Sequence, residues 1–132
     1  SRSSTSLEHA FMSFDVIAMP PEQFEAWAQR QRQPAAEPAD GAAKHGRDLF
    51  LSGSCMLCHA VQGTTASARK APDLTHVASR ERLAAGRIPN TPQQLAAWIT
   101  DPQKIKPGVN MPAHRLPPED LQALVAYLET LK

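Results

Sequence analysis

The pentapeptide Cys55-Met56-Leu57-Cys58-His59 constrains this chain more than any other stretch of it. Two thiols three positions apart can both add to the vinyl groups of one porphyrin. A histidine directly after the second thiol is then held beneath the iron, where its ring supplies an axial nitrogen. The spacing C-x-x-C-H is thus the attachment signature of a covalent c-type haem. These are the only two cysteines in 132 residues, so no thiol remains for a disulfide. A zinc site would need two more ligands at metal spacing, and no second cysteine pair exists. A thioredoxin-like redox pair would lie in a βαβ pattern, which the chain lacks. A buried porphyrin also supplies apolar surface to a chain with only 5% aromatic residues and 12 prolines.

An iron held in this way has a sixth position to fill. The run Lys104-Ile105-Lys106-Pro107-Gly108-Val109-Asn110-Met111-Pro112 is a Pro/Gly loop ending in a methionine that belongs to no apolar helical stripe. Its prolines stiffen the approach. Its thioether is a soft donor that favours ferrous iron and raises the reduction potential. Met111 is therefore expected opposite His59. Met56 lies inside the attachment motif, too close in sequence to turn back onto the iron. His114, His45 and His76 are the competing ligands, and bis-histidine ligation would lower the potential. Each of the three is expected instead as a polar surface residue.

The net charge of +1 gives no case for nucleic-acid binding. Its distribution is uneven: residues 1–40 carry three of the 14 Lys/Arg and six of the 13 Asp/Glu, so the remainder is mildly basic. No apolar run approaches the ~20 residues of a membrane span, and the polar N-terminus shows no signal peptide. Haem attachment of this kind normally takes place outside the energised membrane. The chain is accordingly expected to be a mature or excised piece of an exported protein, periplasmic or on the outer membrane face, in contact with the membrane only through parts not present here.

Three regions follow one another. Residues 8–18 alternate well enough for a strand, with Met12, Phe14, Val16 and Ala18 on one face. Residues 22–32 read as a helix started by Pro21, with Phe24, Trp27 and Ala28 on one side. Residues 1–33 thus form a strand-plus-helix appendage, and 34–41 a Pro/Ala linker. Residues 42–132 form an all-α unit. Its first helix runs from about Ala42 to Ser52, with Gly46 and Phe50 one turn apart. Residues 62–80 are mostly loop, with Ala71-Pro72-Asp73-Leu74 passing near the proximal histidine. A short helix from Ser79 to Ala85 ends at Gly86. Thr91-Pro92-Gln93-Gln94 opens a helix with a capping box, which carries Leu95, Trp98 and Ile99 on one face. The last helix starts at Pro117-Pro118-Glu119-Asp120 and carries the apolar stripe Leu121, Leu124, Val125, Leu128 and Leu131. No strand hairpin is expected after residue 41.

Taken together, Gly46 and Phe50, Cys55/Cys58/His59, Pro72, Met111 in its Pro-Gly loop, and Leu124 with Tyr127 make residues 42–132 resemble a class I cytochrome c domain, a small helical fold around one covalent haem c. The resemblance implies that Gly46 lets the terminal helices cross closely, against Leu124 and Tyr127. It also implies that the Pro72 carbonyl accepts a hydrogen bond from the His59 ring, fixing its tautomer. By the same resemblance the Trp98 indole N–H either reaches a haem propionate or packs in the core.

Read together, residues 8–132 resemble the C-terminal part of subunit II of a caa-type cytochrome c oxidase, through His9-Ala10-Phe11-Met12, Ile88-Pro89-Asn90-Thr91-Pro92 and Leu95-Ala96-Ala97-Trp98-Ile99. In that family a cupredoxin domain with a dinuclear copper centre precedes the cytochrome. Its two copper cysteines would fall at Ser1 and Thr5, eight and four residues before His9. Hydroxyls do not bridge two coppers, so no dinuclear copper is expected in this chain. The implied role is electron transfer, with no bond chemistry of its own. Electrons would come from a donor cytochrome c or a quinol-oxidising complex and pass to copper in the oxidase, beside its catalytic subunit. Lys70, Lys104, Lys106 and Arg115 would either ring the exposed haem edge or be scattered solvated cations. The alternatives are a haem domain of another respiratory complex, a sensor or peroxidase with a labile sixth ligand, and an interaction module docked through Phe11, Phe14, Phe24 and Trp27.

Overall fold

A computed structural model describes residues 12–132; Ser1, Thr5 and His9, on which the copper expectation falls, lie outside the described residues. The alternating segment from Met12 onward forms no strand. Strands exist through ladder partners, and among the described residues none is offered to it, so Met12, Phe14 and Val16 stand 70%, 83% and 85% exposed. Helix α1, Pro21–Arg32, follows. Proline at its first turn, Glu22 beside it, and Arg30 and Arg32 in its last turn all suit the helix dipole. It buries no residue. Phe24 and Trp27 contact each other, ring centroids 5.8 Å apart, and remain half in water.

The haem-bearing part is organised around the crossing of α2, Gly41–Ser52, and the final helix, Pro118–Glu129. Asp40 caps α2 by accepting the Ala43 N–H at 2.7 Å. At Gly46 an added Cβ would land on the backbone carbonyl of Ala123 and within 2.8 Å of Tyr127 Cβ. Glycine is required there by proximity alone. Tyr127 lies against Gly46, the nearest atoms are those of the Ala123 carbonyl, and Leu124 is buried in the core. Phe50 meets Tyr127 edge-on at 6.0 Å, a favoured aromatic geometry. His45 Nε2 and Asp120 Oδ1, 3.1 Å apart, also tie the two helices.

Helix α3, Pro92–Thr100, delivers Leu95 and Ile99 to the same core. Thr91 accepts the Gln94 N–H at 3.2 Å. Its own N–H donates to the Pro89 carbonyl at 3.1 Å, which takes the place of the second half of the capping box. A single turn, α4, Pro102–Ile105, comes next, so Pro118–Glu129 is α5.

The helix expected over 79–85 is not formed. A 3-10 turn occupies Val77–Ser79, and a two-stranded antiparallel hairpin follows: β1, Arg82–Leu83, pairs with β2, Ile88–Pro89. The hairpin also overturns the expectation that none occurs after residue 41. Its loop holds Ala84, Ala85 and Gly86 at φ 53°, 55° and 85°, a left-handed run incompatible with a helix. Burial drives the choice, because the pairing turns both Leu83 and Ile88 into the core.

The linker lies on the haem-bearing part. Ala35 N–H donates to the Gln62 carbonyl at 2.8 Å, and Pro38 is buried. His76 bridges two chain segments: Nδ1 lies 2.7 Å from the Lys132 carbonyl and Nε2 2.9 Å from the Gln33 carbonyl.

Candidate haem site

The attachment motif begins three residues beyond the end of α2 as a 3-10 turn, Cys55–Leu57. The Cys58 and His59 N–H groups both donate to the Cys55 carbonyl, at 3.2 and 2.9 Å. One backbone oxygen thereby gathers both thiols and the imidazole onto a single turn. Both cysteines are free and half-buried. Burial pushes the Cys55 thiol up and Cys58 adds to that, against a local backbone hydrogen bond that pulls it down. A protonated thiol resists stray oxidation.

His59 is aimed by the segment opposite. Ala71 N–H donates to the Cys58 carbonyl at 2.9 Å and Leu74 N–H to the Ala60 carbonyl at 2.8 Å, so residues 71–74 are fastened on both sides of the histidine. Between these two bonds the Pro72 carbonyl lies 2.7 Å from His59 Nδ1. The carbonyl can only accept, so Nδ1 is the donating nitrogen and Nε2 is the one left to face a ligand. Thr75, fully buried, braces the same loop: its hydroxyl donates to Asp73 Oδ1 at 2.5 Å and accepts the Gln62 N–H at 2.8 Å.

Met111 leaves a turn gripped by one side chain. Gln103 accepts the Gly108 N–H at 2.9 Å and donates its amide to the Val109 carbonyl. Gly108 takes φ 89°, which glycine adopts freely. Met111 is half-buried and its sulfur enters no hydrogen bond among the described residues. Beyond it the His114 N–H donates to the Ile99 carbonyl at 3.0 Å, and His114 Nε2 lies 3.0 Å from Ser54 Oγ. His114 is thus a half-buried tether, contrary to the expectation of a surface residue. Nothing in the local sequence marks Gln103, Thr75 or Ser54, since each acts on a segment distant in the chain or across a turn.

The donor set fits a covalent porphyrin. Two free thiols share a turn with an imidazole whose Nε2 has no partner among the described residues, and a half-buried thioether stands on a tethered loop. Met56, Leu74, Trp98, Ile105, Leu116 and Leu121 pack on the core yet remain partly uncovered, apolar surface of the kind a porphyrin plane would cover. The Trp98 indole N–H donates to no described group. Lys70, Lys104 and Arg115 are exposed and Lys106 half-buried.

Helices crossing at Gly46, with a haem-attachment turn between them and a methionine loop before the last helix, define the cytochrome c class. Residues 43–132 match the cytochrome c family, and the chain belongs to it: a haem-based electron-transfer domain. At the level of whole proteins it is similar to cytochrome c oxidase subunit 2 of Alkalihalophilus pseudofirmus strain OF4, with 41% identity over 125 residues. It is also similar to cytochrome c oxidase subunit 2 of Bacillus sp. strain PS3 (38% identity) and of Bacillus subtilis strain 168 (33%). Each match covers 94% of this chain and 36% of the relative, so the chain spans about a third of the length of those proteins.

Proposed function

We propose that this chain carries single electrons through one haem c, bound by thioethers at Cys55 and Cys58 with His59 and Met111 as axial ligands, as the cytochrome part of a cytochrome c oxidase subunit 2. The observation that carries the reading is the 2.7 Å contact between His59 Nδ1 and the Pro72 carbonyl, which leaves Nε2 free to ligate. When bound, the haem supplies reversible one-electron chemistry. This chain's residues do the rest. Cys55 and Cys58 hold the ring edge. The Pro72 carbonyl fixes the His59 tautomer and strengthens it as a donor. Met111 offers the soft sulfur that favours the reduced state, and the apolar surface keeps water away. Trp98 is assigned to the haem margin and is free to donate its indole N–H to a propionate.

In this reading electrons arrive from a donor cytochrome or quinol-oxidising complex outside the cytoplasm and leave for the oxidase, with residues 12–33 leading from its preceding domain. Lys70, Lys104, Lys106 and Arg115 steer an acidic partner, an effect that salt screens.

The test is the visible spectrum of the holoprotein. A weak far-red band from iron–sulfur bonding is expected in the wild type and absent in Met111→Ala, with the potential lowered. A wild type that is five-coordinate or bis-histidine would overturn the His/Met carrier.

A further inference from the structure

His114 joins three observations that the reading above leaves unused. Its backbone is anchored to the Ile99 carbonyl at the end of α3, its Nε2 reaches Ser54, and its Nδ1 is buried with no partner among the described residues. A buried, unpaired ring nitrogen is destabilising. The ring is held in this position by what its other nitrogen grips. Ser54 directly precedes Cys55, and His114 follows Met111 by three residues. Among the described residues, the Ser54–His114 contact is the one hydrogen bond that joins residues 53–59 to residues 106–116.

We propose that the Ser54–His114 hydrogen bond is a latch that closes the Met111 loop over the attachment turn, so that losing it frees the thioether and admits outside ligands to the sixth position. His114 is then a positioning residue acting through Met111, and the proposal rests on Met111 as a ligand. The bond survives a change of tautomer, because a serine hydroxyl can donate or accept. The Gln103 clamp shapes the turn before Met111 from within its own segment, whereas the latch sets how that segment meets the other wall of the site.

Exogenous imidazole binding to the ferric holoprotein is the measurement, followed together with the far-red band. Ser54 is exposed, so Ser54→Ala leaves the fold intact. Removing one hydrogen bond from the closed state corresponds to about a fivefold gain in the open population. Imidazole binding in Ser54→Ala is therefore expected to be about fivefold faster, with a weaker far-red band. His114→Ala should match it, the double variant should add nothing, and His114→Gln should restore the wild-type rate by placing an amide near the ring Nε2. A far-red band in the wild type with less than a twofold change in Ser54→Ala would overturn the latch, as would additive single effects. A wild type without the band instead overturns Met111 ligation itself, so the two failures are distinguishable.

Discussion

Gly46 shows how far a single residue can be argued from contact alone. Its backbone conformation is ordinary, and what forbids a side chain is the Ala123 carbonyl, which lies where a Cβ would go. A carbonyl inside a helix cannot step aside without breaking its own ladder, so relief has to come from moving α5. Gly46→Ala is expected to destabilise the holoprotein by about 3 kcal/mol, at the upper end of overpacking effects, read as a lower urea midpoint with an unchanged slope. Residue chemistry of this kind is what a sequence states most plainly. Cys55, Cys58 and His59 are legible because their spacing is itself the chemistry, and a glycine within a helix signals close approach. The nearest facing atom is not legible, because only the packed helices show that it is the Ala123 carbonyl. His114 escaped for a related reason, since its meaning depends on Ser54, 60 positions away.

Among the elements, the 82–89 hairpin is where local preference and tertiary packing disagree. The run Arg82-Leu83-Ala84-Ala85-Gly86 has helix-forming composition. The structure instead places two alanines in left-handed conformation so that Leu83 and Ile88 can both be buried. Each such alanine costs roughly 1–2 kcal/mol. Ala85→Gly should recover part of that and raise stability by up to about 1 kcal/mol; a thermal melt of the holoprotein gives the sign, and a lower midpoint would count against the assigned turn. Helices α1, α2, α3 and α5 were readable because a capping residue (α2), an N-terminal proline (α1 and α5) or both (α3) agrees with the apolar spacing. The segment at residues 12–18 had the alternation of a strand and lacked what alternation cannot state, a partner.

At the scale of the whole molecule, the linker is fastened and does not simply trail. Ala35 and His76 hold residues 33–35 against the haem-bearing part, and Pro38 is buried with them. His76→Ala removes the bonds to the Gln33 and Lys132 carbonyls. Limited proteolysis across residues 34–41 is expected to become several-fold faster in that variant, with the haem spectrum unchanged; equal cleavage rates would mean that the backbone bond at Ala35 suffices.

The bridge at His76 has a geometric corollary. Gln33, where the chain comes in, and Lys132, the last residue, both touch the same imidazole ring. Two segments far apart in sequence are therefore pinned at one point through a single ring. One side chain thus acts as a staple between the two stretches, and its loss would free both at once.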